Sequence, residues 1–154
     1  KPVVITGLLF VAAGLFWFSK VSPGGTFLAD VLGPSLLAAV GLGFSFVPVT
    51  VGGTHGVSHE EAGLASGLLN ASQQVGGAIG LAVLGAIATA KTDNVIAAAT
   101  GKPDMPAALA EGFQAAFLAG AVLALAGAVV AAVMIRREDS RSVIGQPAES
   151  LAAG

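Results

Sequence analysis

The chain has 154 residues, of which 55% are hydrophobic and only 10% charged, with a formal net charge of −2 and no cysteine; its mean hydropathy is +0.85. Soluble domains carry about 25% charged residues, so too little charge is present to coat every helix of a water-soluble bundle. The slightly negative balance gives no electrostatic case for nucleic acid, and the lack of cysteine excludes disulfides and thiolate-held metals.

Four stretches hold no Asp, Glu, Lys or Arg: Pro2 to Ser19, Val31 to His59, Ala62 to Ala90 and Gly112 to Ile135. A bilayer-spanning helix needs about 20 such residues, so the pattern predicts an all-α, polytopic membrane protein with four transmembrane helices. The first stretch is the shortest and spans only if nearly upright. It predicts a helix over 2–18, ending in Phe16-Trp17-Phe18 and Lys20; an aromatic group at a span end suits the membrane interface. Val21 to Thr26, with Pro23-Gly24-Gly25, reads as a short turn between antiparallel neighbours.

The second helix is expected over 27–51, with kinks at Pro34 and Pro48. Asp30, Pro34, Ala38, Gly41, Ser45 and Pro48 form a weak stripe along it, and Asp30 reads as a wetted interfacial acid. Gly52 to Val57 reads as the next turn. Ser58-His59-Glu60-Glu61 reads as a capping box that starts the third helix near His59, with the Ser58 hydroxyl accepting from the backbone and Glu61 reaching back. That helix is expected over 59–90. Lys91 to Gly112 then reads as a polar loop broken by Lys102-Pro103-Asp104-Met105-Pro106, with 95–99 as a short interfacial helix. The fourth helix is expected over 113–135. Ala116, Gly120, Ala124 and Ala128 recur on it every four residues, a pattern of close helix packing. Arg136-Arg137 marks a membrane surface, and 136–154 reads as a disordered tail. The chain enters its first apolar span immediately after Lys1 and reads as the C-terminal piece of a longer protein.

The third helix holds most of the information. At about 100° per residue, Gly63, Ser66, Asn70, Gln73, Gln74 and Gly77 share one side, and Leu64, Leu68, Ala71, Val75, Ile79 and Ala82 share the other. An unpaired amide in hydrocarbon costs several kcal/mol, so the first side must face protein or water. Gly63 to Gly67 and Gly76 to Gly80 are glycine pairs four apart, with Gly77 between the second pair; such steps let another helix approach to backbone contact. Two readings of the amides stand side by side. They tie helices together, or they line a polar path for a solute.

Enzyme and metal motifs fail. His59-Glu60-Glu61-Ala62-Gly63 has Gly where a zinc-binding helix needs its second His, and His55 lies in a glycine-rich turn. No Ser, His and Asp set has a supporting pattern. The chain reads as a non-enzyme with no metal site and no cofactor.

Phe46-Val47-Pro48-Val49-Thr50, a turn, and then the run Glu61-Ala62-Gly63-Leu64-Ala65-Ser66-Gly67-Leu68-Leu69-Asn70-Ala71-Ser72-Gln73-Gln74-Val75-Gly76-Gly77-Ala78-Ile79-Gly80 resemble a signature of major facilitator superfamily transporters. The likeness is greatest to the fourteen-helix drug:proton antiporters of the EmrB/QacA type. The resemblance implies that these are the last four of fourteen helices, with a cytoplasmic C-terminus and multi-pass placement in the cell membrane. It implies that helix two partly lines the central cavity, that helix three lies at the seam with N-terminal helices, and that helices one and four are peripheral. The implied partners are the bilayer, those N-terminal helices and a small-molecule substrate, with the proton gradient as energy source. The implied function is proton-coupled efflux of small apolar or cationic compounds. Ser45, Ser66, Asn70, Gln73 and Gln74 are the candidates for cavity or seam, and Gly63, Gly67, Gly76, Gly77, Gly80 and Gly120 for helix packing. The alternative is a self-contained four-helix membrane protein, either a small dimeric exporter or a scaffold subunit without transport.

Overall fold

The computed structural model describes residues 2–54, 58 and 61–134. Every described element is helical: α1 (Pro2–Phe18), a π-helical turn (Phe27–Leu32), α2 (Gly33–Thr54), α3 (Ala62–Ala98) and α4 (Met105–Met134). Three helical segments, Phe27–Thr50, Ala62–Ala98 and Met105–Met134, are long and apolar enough to cross a membrane. The α1 helix is equally apolar but has 17 residues, a reach of about 25 Å against a hydrocarbon core of about 30 Å. The second half of the turn expected at 52–57, the two histidines, Glu60, and the Arg136-Arg137 end with its tail lie outside the described residues.

The chain runs up and down. Gly7 faces Gly41 and Ser45 while Gly14 faces Ala38 and Pro34, so α1 and α2 are antiparallel. Leu8 meets Gly127, Leu15 meets Gly120 and Phe18 stacks on Phe117, so α1 and α4 are antiparallel too. Ala88 and Thr92 face Gly112, which pairs α3 with α4 in the same sense. The resulting order is α2, α1, α4, α3, with only sparse contact between α2 and α3. The resemblance placed the first and fourth helices at the periphery of a whole transporter. Among these four they are the middle pair, because their small residues admit neighbours on two sides.

The core is thin and made of small side chains. Val4, Ala12, Pro34, Ala108, Ala116, Ala121 and Ala128 are buried, together with Gly7, Gly14, Gly41, Gly112 and Gly120. Large apolar side chains point outward instead; Leu64 is 77% exposed and Val133 76%. Water would oppose such a surface, whereas lipid or further apolar helices accept it. Helices packed through small residues with large ones outside is the arrangement expected in a membrane, where close backbone approach and dispersion drive association.

The second helix does not begin as an α-helix. Thr26 caps its start, its hydroxyl accepting from the Ala29 amide at 3.4 Å, and Gly33 N–H donates to the Leu28 carbonyl five residues back. Pro34 is the cause. It has no N–H for the carbonyl four residues earlier, and its ring crowds that carbonyl, so a wider turn relieves the clash. Pro48 lies inside α2 without ending it.

The second helix runs past 51 to Thr54, so half of the turn expected at 52–57 is helical, and two further differences from the sequence expectation concern the third and fourth helices. The third helix starts at Ala62, with Glu61 as its N-cap making no side-chain capping bond. The Ser58 hydroxyl bonds the Glu61 carboxylate at 3.0 Å and Glu61 N–H bonds the Ser58 carbonyl at 3.0 Å, a turn instead of a capping box. The second difference is larger. No loop fills 91–112: α3 continues to Ala98, α4 begins at Met105, and the break is a short turn at 99–104. Gly101 has φ +118°, a conformation that glycine takes without strain. Asp104 supports the start of α4, its carboxylate accepting from Ala107 N–H at 3.4 Å. Polar residues from Lys91 to Asn94 mark departure from the apolar layer, not the end of the helix. The α3 helix has 37 residues, about 55 Å at 1.5 Å per residue, so it exceeds the hydrocarbon thickness unless strongly tilted.

Candidate functional site

The polar candidates are not gathered in one place. Ser45 sits half-buried on the side of α2 that meets α1. Its hydroxyl donates to the Gly41 carbonyl at 2.9 Å, and a side chain on Gly7 would collide with it. That position is a helix seam. Ser66, Asn70, Gln73 and Gln74 are all exposed on α3, and none makes a side-chain hydrogen bond to a described residue. A Cβ added to Gly63, Gly67, Gly76, Gly77 or Gly80 would meet nothing within 4 Å among the described residues. Gly120 differs: it is buried on α4, where a Cβ would lie 3.3 Å from Leu15 Cδ1 and 3.6 Å from Leu84 Cδ1.

The first half of α3 is bare on both sides. The apolar side carries Leu68 at 68% and Ile79 at 60% exposure, and the amide side is equally open. The close contacts of α3 among the described residues lie in its second half, where Leu84, Ala88 and Thr92 meet α4, while its contact with α2 is sparse. Thr92 is the buried polar residue among those described. Its hydroxyl lies 2.9 Å from the Ala88 carbonyl and 3.3 Å from the Ala108 carbonyl on α4. Lys91 and Glu111 form an ion pair at 3.1 Å beside it.

Concavities among the described residues lie at two places of note. One of about 430 Å³ lies at the α3–α4 turn and is lined by Val95, Ile96, Pro103, Ala107 and the carboxylate-bearing Asp104 and Glu111, among others. The other, about 540 Å³, is a wholly apolar groove lined by Val3, Val40, Gly43, Phe44, Val47 and Pro48. Neither includes any of the polar candidates.

Several structural residues escaped the sequence reading. Gly7 and Gly14, seven apart on α1, carry a seam in which backbone meets backbone. Their partners were visible, because Pro34, Ala38, Gly41 and Ser45 belong to the stripe along the second helix, and these four meet α1. Gly112 extends the four-residue rhythm of α4 by one step toward its start. Gln114 is a lone amide about a third of the way along α4, and its Nε2 donates to the Val21 carbonyl at 2.6 Å.

Long apolar helices in antiparallel array and small-residue seams define a polytopic, all-helical membrane protein. The chain is a homologue of antibiotic export and resistance transporters of the major facilitator drug-efflux type. It is similar to the cephamycin export protein CmcT of Amycolatopsis lactamdurans, 36% identical over 134 residues that make up 87% of this chain and 26% of that protein. It is similar to the puromycin resistance protein pur8 of Streptomyces alboniger, 32% identical over 60% of this chain and 19% of that protein. It is also similar to the lincomycin resistance protein LmrB of Listeria monocytogenes, 28% identical over 89% of this chain and 29% of that protein. The chain thus spans roughly a quarter of the length of the curated relatives it matches. No family model matches it, and no solved structure does.

Proposed function

We propose that this chain is the C-terminal four-helix segment of a proton-coupled exporter of small apolar or cationic compounds that works by alternating access, with its C-terminus in the cytoplasm. Relatives named for antibiotic export and resistance support efflux, and the short share of their length that the chain covers supports a segment. The carrying observation is the bare amide side of α3. Asn70, Gln73 and Gln74 lie on a helix otherwise built for hydrocarbon, with open glycines beside them. Amides left to lipid cost several kcal/mol, so this side is made for more protein or for a hydrated path. Glycines four apart suit a closely approaching helix, and the amides suit contact with a solute that passes the seam. In alternating access two groups of helices rock about a site near the bilayer midplane, and a helix of this kind belongs at the moving boundary. No acid lies deep in any described span, so the coupling carboxylate belongs to helices outside this chain.

The test uses the full-length protein carrying single cysteines at Asn70, Gln73, Leu64 or Leu68. A membrane-impermeant thiol reagent is expected to label the first two positions at a rate that changes when substrate is added, and to spare the other two. Export of cationic dyes from everted vesicles, driven by an imposed pH gradient, is expected alongside. Labelling of Leu64 and Leu68 in place of Asn70 and Gln73, or an absence of gradient-driven flux for any compound, would overturn the reading.

A further inference from the structure

We propose that the α1–α4 interface is a sliding joint between two rigid helix pairs, and that the hydrogen bond from Gln114 to the Val21 carbonyl latches it at one end. The purpose of the joint rests on the transporter reading; its geometry does not.

Within each pair, backbone touches backbone. A Cβ on Gly41 would lie 2.6 Å from both the Gly7 carbonyl oxygen and the Val11 amide, and one on Gly14 would lie 2.9 Å from the Ala38 amide and 3.0 Å from the Pro34 carbonyl. The α3–α4 pair is as close: a Cβ on Gly112 would sit 2.6 Å from the Ala88 carbonyl and would collide with the Thr92 hydroxyl. Thr92 bridges to the Ala108 carbonyl, and Lys91–Glu111 closes the same end. Backbone atoms in such contact have no rotamers to exchange. A shift along either seam drives rigid atoms together, or opens gaps that forfeit a quarter to a half of each dispersion contact at a separation of about 0.5–1 Å.

At the glycines between the pairs the contacts are with side-chain ends, a kind that the α3–α4 pair also shows where Leu84 meets Gly120 at 3.6 Å. Gly120 is met by the far end of Leu15 at 3.3 Å and Gly127 by the far end of Leu8 at 4.0 Å. The Phe18 and Phe117 rings stack with centroids 4.8 Å apart and planes 21° apart. Leucine ends move between staggered wells, and offset ring stacks tolerate translation. Packed helices slide past one another through side-chain adjustments of this sort.

One polar contact crosses the joint among the described residues. Gln114 Nε2 on α4 donates to the carbonyl of Val21, three residues beyond α1, at 2.6 Å. Val21 is held to the α1–α2 pair, since its N–H bonds the Phe18 carbonyl at 3.0 Å and the neighbouring Ser22 N–H reaches the Asp30 carboxylate at 3.4 Å. The far end, where Leu8 meets Gly127, has no comparable tie. One pair therefore swings on the other about the Gln114 end, and loss of the bond frees that end too.

The test is a set of distance measurements between spin labels in the full-length protein, reconstituted in lipid, at exposed positions. Leu9 with Leu123 reads α1 against α4, Leu9 with Val40 reads α1 against α2, and Val83 with Leu123 reads α3 against α4. The Leu9–Leu123 pair is expected to give two separations, and Gln114→Met, which keeps length and apolar bulk but removes the donor, is expected to change their ratio by about three- to tenfold, the span that one net hydrogen bond controls. The other two pairs are expected to keep one narrow distance, which also reports that the variant is folded; Gln114→Leu replaces it if it is not. A single Leu9–Leu123 distance that Gln114→Met leaves unmoved overturns the proposal, as do within-pair distances that shift together with it. The distances require no substrate, so a full-length protein that exports nothing removes the transporter reading and leaves the joint standing.

Discussion

The seam between α1 and α2 makes a sharp prediction at Gly41. The Gly41→Ala methyl would lie 2.6 Å from the Gly7 carbonyl oxygen and the Val11 amide nitrogen and 2.9 Å from Phe10 Cβ. Ordinary carbon–oxygen contact begins at about 3.3 Å, so the helices must part by about 0.7 Å or bend. Neither the carbonyl nor the amide can rotate away, because both belong to the backbone of α1. Overpacking of this kind costs about 1–3 kcal/mol, and the better helix propensity of alanine returns about 1 kcal/mol of it. The Gly7–Ser45 and Gly14–Ala38 contacts on the same seam open as well, which pushes the net loss to about 1–2 kcal/mol. Gly43 is the control. It lies two residues away on the same helix, and a Cβ there meets nothing within 4 Å. Gly43→Ala is therefore expected to be neutral or stabilising by up to about 1 kcal/mol. Equilibrium unfolding of the two full-length variants in mixed micelles measures the difference. Midpoints corresponding to stabilities within about 0.5 kcal/mol of each other, the scatter of substitutions that touch nothing, would refute the seam.

Two further substitutions probe the α3–α4 end. Thr92→Val keeps the shape of the side chain and loses the hydroxyl that reaches the Ala88 and Ala108 carbonyls; a loss of about 1 kcal/mol is expected, read as faster amide exchange over 93–98, and unchanged exchange there would argue against the bridge. Lys91→Gln breaks an ion pair whose side chains are 46% and 47% exposed, so less than about 1 kcal/mol is expected, and the wild-type advantage should shrink as salt is raised. A salt-independent loss of several kcal/mol would show a pair far more shielded than its exposure indicates.

The sequence by itself determined the class of protein. Runs without charge, each about long enough to span as a helix and separated by short polar breaks, point to helices that satisfy their own backbone in lipid. The Ala62–Gly80 run carried the resemblance to drug-efflux transporters through the residues themselves, in their order. The lengths of α3 and α4 were not legible in the same way. Charge and amide content at 91–112 reports solvent, and a helix that leaves the membrane continues wherever a neighbour supports it, as Ala108 and Gly112 support Thr92.

Only the tertiary structure decided which small residues touch. Glycines in α3 and in α1 look alike in sequence, yet those of α1 meet a second backbone and those of α3 meet none among the described residues. Periodicity names the residues that share a face, not the element that covers it. The α2 stripe shows the difference: Pro34, Ala38, Gly41 and Ser45 were legible as one face, and the fold turned that face to α1. Pair choice depends on shape complementarity between whole helices, a property that no single helix encodes.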